Sequence, residues 1–217
     1  MNKVEICNLA LGNIRESSIN SLTETSLAAQ VCDQRFDHSV KVLLEAFPWR
    51  FARKTTALAL LSATPNGWEY AYDLPSDCIT PLHVVPENWP GGLGDRTIEY
   101  RFDDWTEDYR YPTPASWELV ELDGDRAIVT QQAEAYLIYT AAQSDESRFN
   151  AHFVESLSWY LGAMIAIPLA GAEKGRDLRK DCLQIYDEVL KQAKAQDANQ
   201  QVGVSVPPES PLISVRR

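Results

Sequence analysis

The chain has 217 residues, 45% of them hydrophobic and 24% charged, with six Trp, nine Tyr and six Phe. That suits one mid-sized domain or two small ones sharing a core, and it excludes a disordered, collagenous or low-complexity chain. The net charge of −11 argues against gripping nucleic acid or an anionic membrane surface, because phosphate neutralisation needs a face of Lys and Arg.

The acidity is concentrated. Residues 68–145 hold 16 Asp and Glu against 4 Arg and no Lys, whereas the rest of the chain holds 15 acids against 16 bases. No apolar run approaches the length that spans a bilayer. The start, MNKVEICNLALGN, has one Lys followed by an acid and no long apolar stretch, so it does not read as a secretory signal.

Val4, Cys7, Leu11 and Ile14 recur at helical spacing and predict a helix over 3–14. Ser21 and Glu24 fit a capping box, opening a longer helix from about 24 to 47. Ala28, Cys32, Phe36, Val40, Leu43 and Phe47 line its buried face, and Pro48 closes it. An apolar run, Ala57 to Leu61, leads to a turn at Pro65-Asn66-Gly67. The period then changes: Trp68, Tyr70 and Tyr72 alternate with polar or small residues, a strand ended by Pro75. Further strands are expected at Thr97–Phe102, Trp117–Leu122, Ala127–Gln131 and Ala135–Ala141. Asp123-Gly124 forms a hairpin turn between two of them. Segments 86–95 and 103–116, rich in Pro, Gly and Asp, read as loops.

Helical spacing returns with Phe149, Phe153, Leu157, Tyr160 or Leu161 and Met164, as far as Pro168. Gly171 to Gly175 reads as a connector. A last helix over about 174–196 carries Leu178, Cys182, Ile185 and Val189. Pro207, Pro208 and Pro211 prevent a helix in residues 198–217, which read as an extended arm. The expected class is α+β, a helical bundle built from N- and C-terminal helices (1–67 and 146–197) with an inserted acidic antiparallel β module (68–145) and an extended C-terminal arm (198–217).

Sequence motifs for chemistry are absent: there is no Gly-rich phosphate loop, nucleophile elbow or HExxH pair. Asp103, Asp104, Glu107 and Asp108 are the densest acid cluster and read as a solvated or electrostatic surface rather than a cation site. The four Cys lie far apart and read as buried small hydrophobes, with no cofactor or metal expected. Ser156 and Ser158 flank no motif and, with His152 far off, read as helix surface. The aromatics Trp49, Phe51, Trp68, Tyr70 and Tyr72 read as core, and Arg50, Arg53 and Lys54 form a basic knot with solvated charge as the default.

The order of several motifs resembles a known family. Cys7-Asn8-x-Ala10-Leu11-Gly12 is followed by Ala28-x-x-x-Cys32, then Phe47-Pro48-Trp49-x-Phe51-Ala52, then Gly67-Trp68-x-Tyr70-Ala71-Tyr72-x-Leu74-Pro75-x-Asp77-Cys78. This is similar to the tail tubular protein A, or head-to-tail adaptor, family of short-tailed tailed phages, over roughly residues 5–80. The resemblance implies a virion protein of the neck and no enzyme. It would form a ring of twelve copies between the portal protein and the tail nozzle, through which DNA passes without specific binding. On that reading Trp49, Phe51, Trp68, Tyr70, Tyr72, Pro75 and Asp77 are structural motif residues. Val204, Val206, Leu212, Ile213, Arg216 and Arg217 of the arm are expected to reach the portal, and Asp103, Asp104, Glu107 and Asp108 to face the lumen or the nozzle. Two alternatives stand beside it: a monomeric acidic interaction module of the DNA-mimic type, and a metal-dependent enzyme using the acidic loops.

Overall fold

The computed structural model describes residues 1–87 and 114–199. Four helices and six strands follow the chain: α1 (Lys3–Asn13), α2 (Leu27–Ala46), β1 (Arg53–Ala57), β2 (Tyr70–Asp73), β3 (Cys78–Pro86), β4 (Trp117–Leu122), β5 (Asp125–Thr130), β6 (Ala135–Ala141), α3 (Ala151–Ala170) and α4 (Ala172–Asn199). The protein is α+β, with helices from both ends of the chain flanking a sheet module.

Each helix of the first half starts at a side-chain cap. Asn2 and Glu5 form a reciprocal capping box at α1, the Asn2 oxygen accepting from the Glu5 N–H at 2.9 Å and the Glu5 carboxylate from the Asn2 N–H at 2.8 Å. The cap of α2 is Ser26, whose hydroxyl accepts from the Ala29 N–H. The expected box at Ser21 and Glu24 is instead a local turn. The Glu24 carboxylate accepts from the Asn20 and Ser21 N–H groups and so folds the loop that precedes the helix. Asn8 holds the rest of that loop by trading two hydrogen bonds with the Ile19 backbone, at 2.8 and 2.9 Å. Lys3 ties α1 to α2 through Asp33 and Asp37, with its ammonium over the Phe36 ring.

α3 is the central helix, with α1, α2 and α4 packed on it. By length and composition it could cross a membrane, which corrects the expectation that no apolar run reaches that length. Its apolar surface is instead the floor of the helical core, where Phe153, Leu157, Leu161 and Ile165 are fully buried. Ser156 and Ser158 are buried too, not on the helix surface. Each returns its hydroxyl proton to a carbonyl of the preceding turn, His152 and Glu155 respectively. The helix continues two residues past Pro168.

The connector to α4 is the single residue Gly171, at φ +80°, in place of the expected 171–175 segment. Gly175 already lies inside α4. A Cβ there would stand 2.6 Å from the Ile167 Cα and 2.7 Å from the Ala166 carbonyl oxygen, both backbone atoms that cannot swing aside. This glycine lets the two helices touch. α4 buries Cys182, Tyr186 and Ala193 against the core, while Ile185 and Val189, placed by sequence on that stripe, stay half-exposed.

The six strands form two three-stranded antiparallel sheets, β1-β6-β3 and β2-β5-β4. β1 and β3 were not anticipated, and β1 puts the start of the sheet module at Arg53, inside the stretch assigned from sequence to the helical core. The sheets are joined at both sides. After β1 the chain crosses over: the Leu58 N–H bonds to the Ala135 carbonyl, and the Leu61 N–H to that of Ala71. On the far side, Ala115 bridges to Val84 just before β4 begins. The result is a nearly closed barrel whose sheet edges are covered at the two corners. Its interior holds Tyr72, Val84, Ile128, Leu137 and Tyr139. The Asp123-Gly124 hairpin forms as expected, with positive φ at both residues. The expected strand Thr97–Phe102 lies outside the described residues.

Replacing Gly175 by Ala should destabilise the protein by about 2 kcal/mol, since overpacking against backbone outweighs the roughly 1 kcal/mol gain in helix propensity. The check is the midpoint of urea unfolding; an unchanged midpoint would mean that α3 and α4 can separate there without loss.

Candidate functional site

Two of the motif residues, Trp49 and Phe51, lie at the joint between the helical body and the barrel. Pro48 and the extended backbone of Phe47 end α2. The next residue, Trp49, turns its indole back over the helix. It is fully buried, and its Nε1–H donates to the Leu43 carbonyl in the last turn of α2 at 2.7 Å. That bond satisfies a helix-end carbonyl. The ring packs edge-on to Phe47 at 5.2 Å and to Phe153 of α3 at 5.1 Å; Phe51 and Phe149 complete the cluster. One turn of 3-10 helix, Arg50–Ala52, then delivers the chain into β1.

The five aromatics read together from sequence therefore divide. Trp49 and Phe51 belong to the helical core. Tyr70 and Tyr72 stack on each other at 6.3 Å on the barrel side, where the Tyr72 hydroxyl donates to the Gln132 carbonyl. Trp68 is half-buried in the turn before β2 and belongs to neither cluster.

Asp77 staples the barrel at its helical end. Its carboxylate accepts from the Tyr139 hydroxyl of β6 at 2.8 Å and pairs with Lys54 of β1. Its own carbonyl accepts from the Ala142 N–H. Pro75 supports the same turn, its carbonyl accepting from the Cys78 N–H. The hydrogen bond from Lys54 holds the Asp77 carboxyl below the usual range, against burial. Burial, followed by the bond to Asp77, pushes the Tyr139 hydroxyl well up. Of the basic knot, Arg50 and Arg53 are half-buried rather than solvated, and Lys54 is drawn into the Asp77 pair.

A groove of about 320 Å³ runs beside this staple, between α2 and the β2–β3 turn. Val40, Leu44 and Ile79 line it along with Lys41 and Arg126. Cys78, half-buried at its wall, is the most accessible of the four free thiols, and burial pushes it up to about 11, so it is not an activated thiolate. Among the described residues no three His, Cys, Asp or Glu side chains come together as metal ligands.

Asp103, Asp104, Glu107 and Asp108 lie outside the described residues, as do Val204, Val206, Leu212, Ile213, Arg216 and Arg217. Sequence reasoning missed Asp197. This carboxylate near the end of α4 is 2% exposed and accepts from the Arg50 main-chain N–H. The signal available was weak: an acid in the register of the α4 core stripe, four residues after the buried Ala193.

Comparison with protein-family models and with curated proteins gives no match for this chain.

Trp49→Phe keeps a ring in the cluster but removes the donor, and should cost about 1–2 kcal/mol for the orphaned Leu43 carbonyl, read by chemical unfolding. A loss near zero would show that another donor reaches that carbonyl. The Asp77 staple makes a separate prediction in acid. A carboxyl held low in the fold adds stability above the pKa of the unfolded chain, and that stability is lost as pH falls through the folded value. The Asp77→Asn variant should thus lose less stability than the wild type between neutral pH and a pH below about 4. Identical pH profiles would remove Asp77 from the acid response.

Proposed function

We propose that the protein is a structural component of a phage virion: a head-to-tail adaptor ring that joins the portal protein to the tail nozzle and forms part of the DNA exit channel. The observation that carries this reading is where the family-like motif residues fall. Trp49 and Phe51 occupy the connection that leads from α2 into the barrel, Pro75 and Asp77 close the barrel at its helical end, and Tyr72 packs in the barrel interior. A motif shared for the sake of a common fold would occupy such places.

The charge distribution supports the same role. Ten of the 16 acids of segment 68–145 fall on described residues, against one Arg. The hairpin of β4 and β5 exposes Glu118, Glu121, Asp123 and Asp125. A conduit for DNA must not hold phosphates, and an acidic wall repels them over about one Debye length, roughly 8–10 Å. Asp103, Asp104, Glu107 and Asp108 would add to that wall or meet the nozzle. The arm, with its apolar pairs and the terminal Arg216-Arg217, would dock on the portal.

The test is quantitative mass spectrometry of purified virions of the source, counting this chain against the major capsid protein. A fixed count near a dozen per particle is expected; absence from virions would overturn the proposal. A chain ending at Asn199, which keeps all of α4, should fold normally but fail to attach to portal-bearing heads in a co-sedimentation assay. Normal attachment would remove the arm from the interface.

A further inference from the structure

We propose that Asp197 is a buried carboxylate lock that couples the C-terminal end of α4, and the segment that follows it, to the joint between helical body and barrel. One side chain touches two remote segments. Its Oδ2 accepts from the Arg50 N–H at 3.1 Å, at the start of the 3-10 turn that leads into β1. Its Oδ1 accepts from the Asn150 side-chain amide at 3.4 Å. The oxygen of the same Asn150 side chain caps α3 by accepting from the Phe153 N–H at 2.8 Å.

Nothing local favours an acid here. Asp is a poor helix former, and the carbonyl end of a helix repels an anion. Burial adds a further cost, and pushes the carboxyl above its ordinary range although the charges of Arg50 and Arg53 pull the other way. The acid at this position is matched by hydrogen-bond partners 147 and 47 residues away. The end of α4 has other holds: Ala193 is fully buried, and the Lys194 ammonium lies over the Phe47 ring at 5.9 Å. These bind α4 to the helical body, whereas Asp197 reaches the turn that enters the barrel.

The consequence is mechanical. Residues 200–217 continue directly from this turn. A partner that takes hold of them would act on this last turn and, through Asp197 and the Arg50 backbone, on the entry to β1. Engagement at the C-terminus is thereby transmitted to the barrel joint, whichever partner provides it.

Amide hydrogen exchange of the full-length chain tests this, comparing wild type, Asp197→Ala, Asp197→Asn and Lys194→Ala. Loss of hydrogen bonds to a buried charged group should speed local opening by about tenfold or more. In Asp197→Ala this acceleration should appear in the last two turns of α4, in residues 50–57 and in residues 150–154, with α1 unchanged. Asp197→Asn keeps an acceptor oxygen and should show the same pattern, weaker, so it serves if the alanine variant does not fold. Lys194→Ala should loosen α4 alone. Acceleration confined to α4 in both Asp197 variants, or absent from them, would overturn the lock.

Discussion

The structure depends on the way Trp49 ends the second helix. A proline stops α2, and the residue after it must both satisfy the helix end and send the chain in a new direction. The indole does the first by donating to Leu43 and makes the second possible by filling the space between Phe47, Phe51 and Phe153. Its ring therefore belongs to the helical core while its backbone belongs to the connection. Helix end, core and barrel entry are fixed by one side chain, and no smaller residue has both the area and the donor.

Around that anchor the protein separates two kinds of cohesion. The helical body is held by apolar packing on α3, tightened where Gly175 lets backbone meet backbone. The barrel has a smaller interior and leans on polar fastenings: the Asp77 staple, the Tyr72 hydroxyl on Gln132, and Thr130 donating to the Ser116 carbonyl. Small cores bury too little surface to be stable on packing alone. The corner crossings at residues 58–61 and at Ala115 bridge the edge strands of the two sheets at those points. For a module this acidic, like charge also opposes uncontrolled sheet-to-sheet association.

The helices were legible because their apolar residues recur at helical spacing over many turns, and four residues of the α2 stripe, Cys32, Phe36, Val40 and Leu43, are indeed buried. β1 was not legible: Arg53-Lys54-Thr55-Thr56-Ala57 has no apolar alternation, and it is a strand because β6 pairs with it. β3 was hidden by Pro81 and Pro86, which argue against a strand; register shifts at Cys78/Thr80 and Pro81/His83 accommodate the first of them. The motif residues of the joint were visible as a group, but not their division between two cores. Asp197 left only its register with the α4 core stripe as a signal, because an acid on a charged helix reads as solvated until its partners from distant parts of the chain are known.

The pairing of β1 with β6 has a consequence for how the chain folds. Arg53 and Thr140 face each other across the ladder, so the chain enters and leaves the barrel about 5 Å apart. α1 and α2 must find α3 across a long intervening segment, and closing such a loop carries an entropic cost that grows with the logarithm of its length. A barrel that has already formed has lost that entropy on its own account. It presents the end of α2 and the start of α3 to each other as though a short turn joined them. With the barrel in place, the contacts of α2 with α3 are as close along the folded chain as those of a nearly local structure.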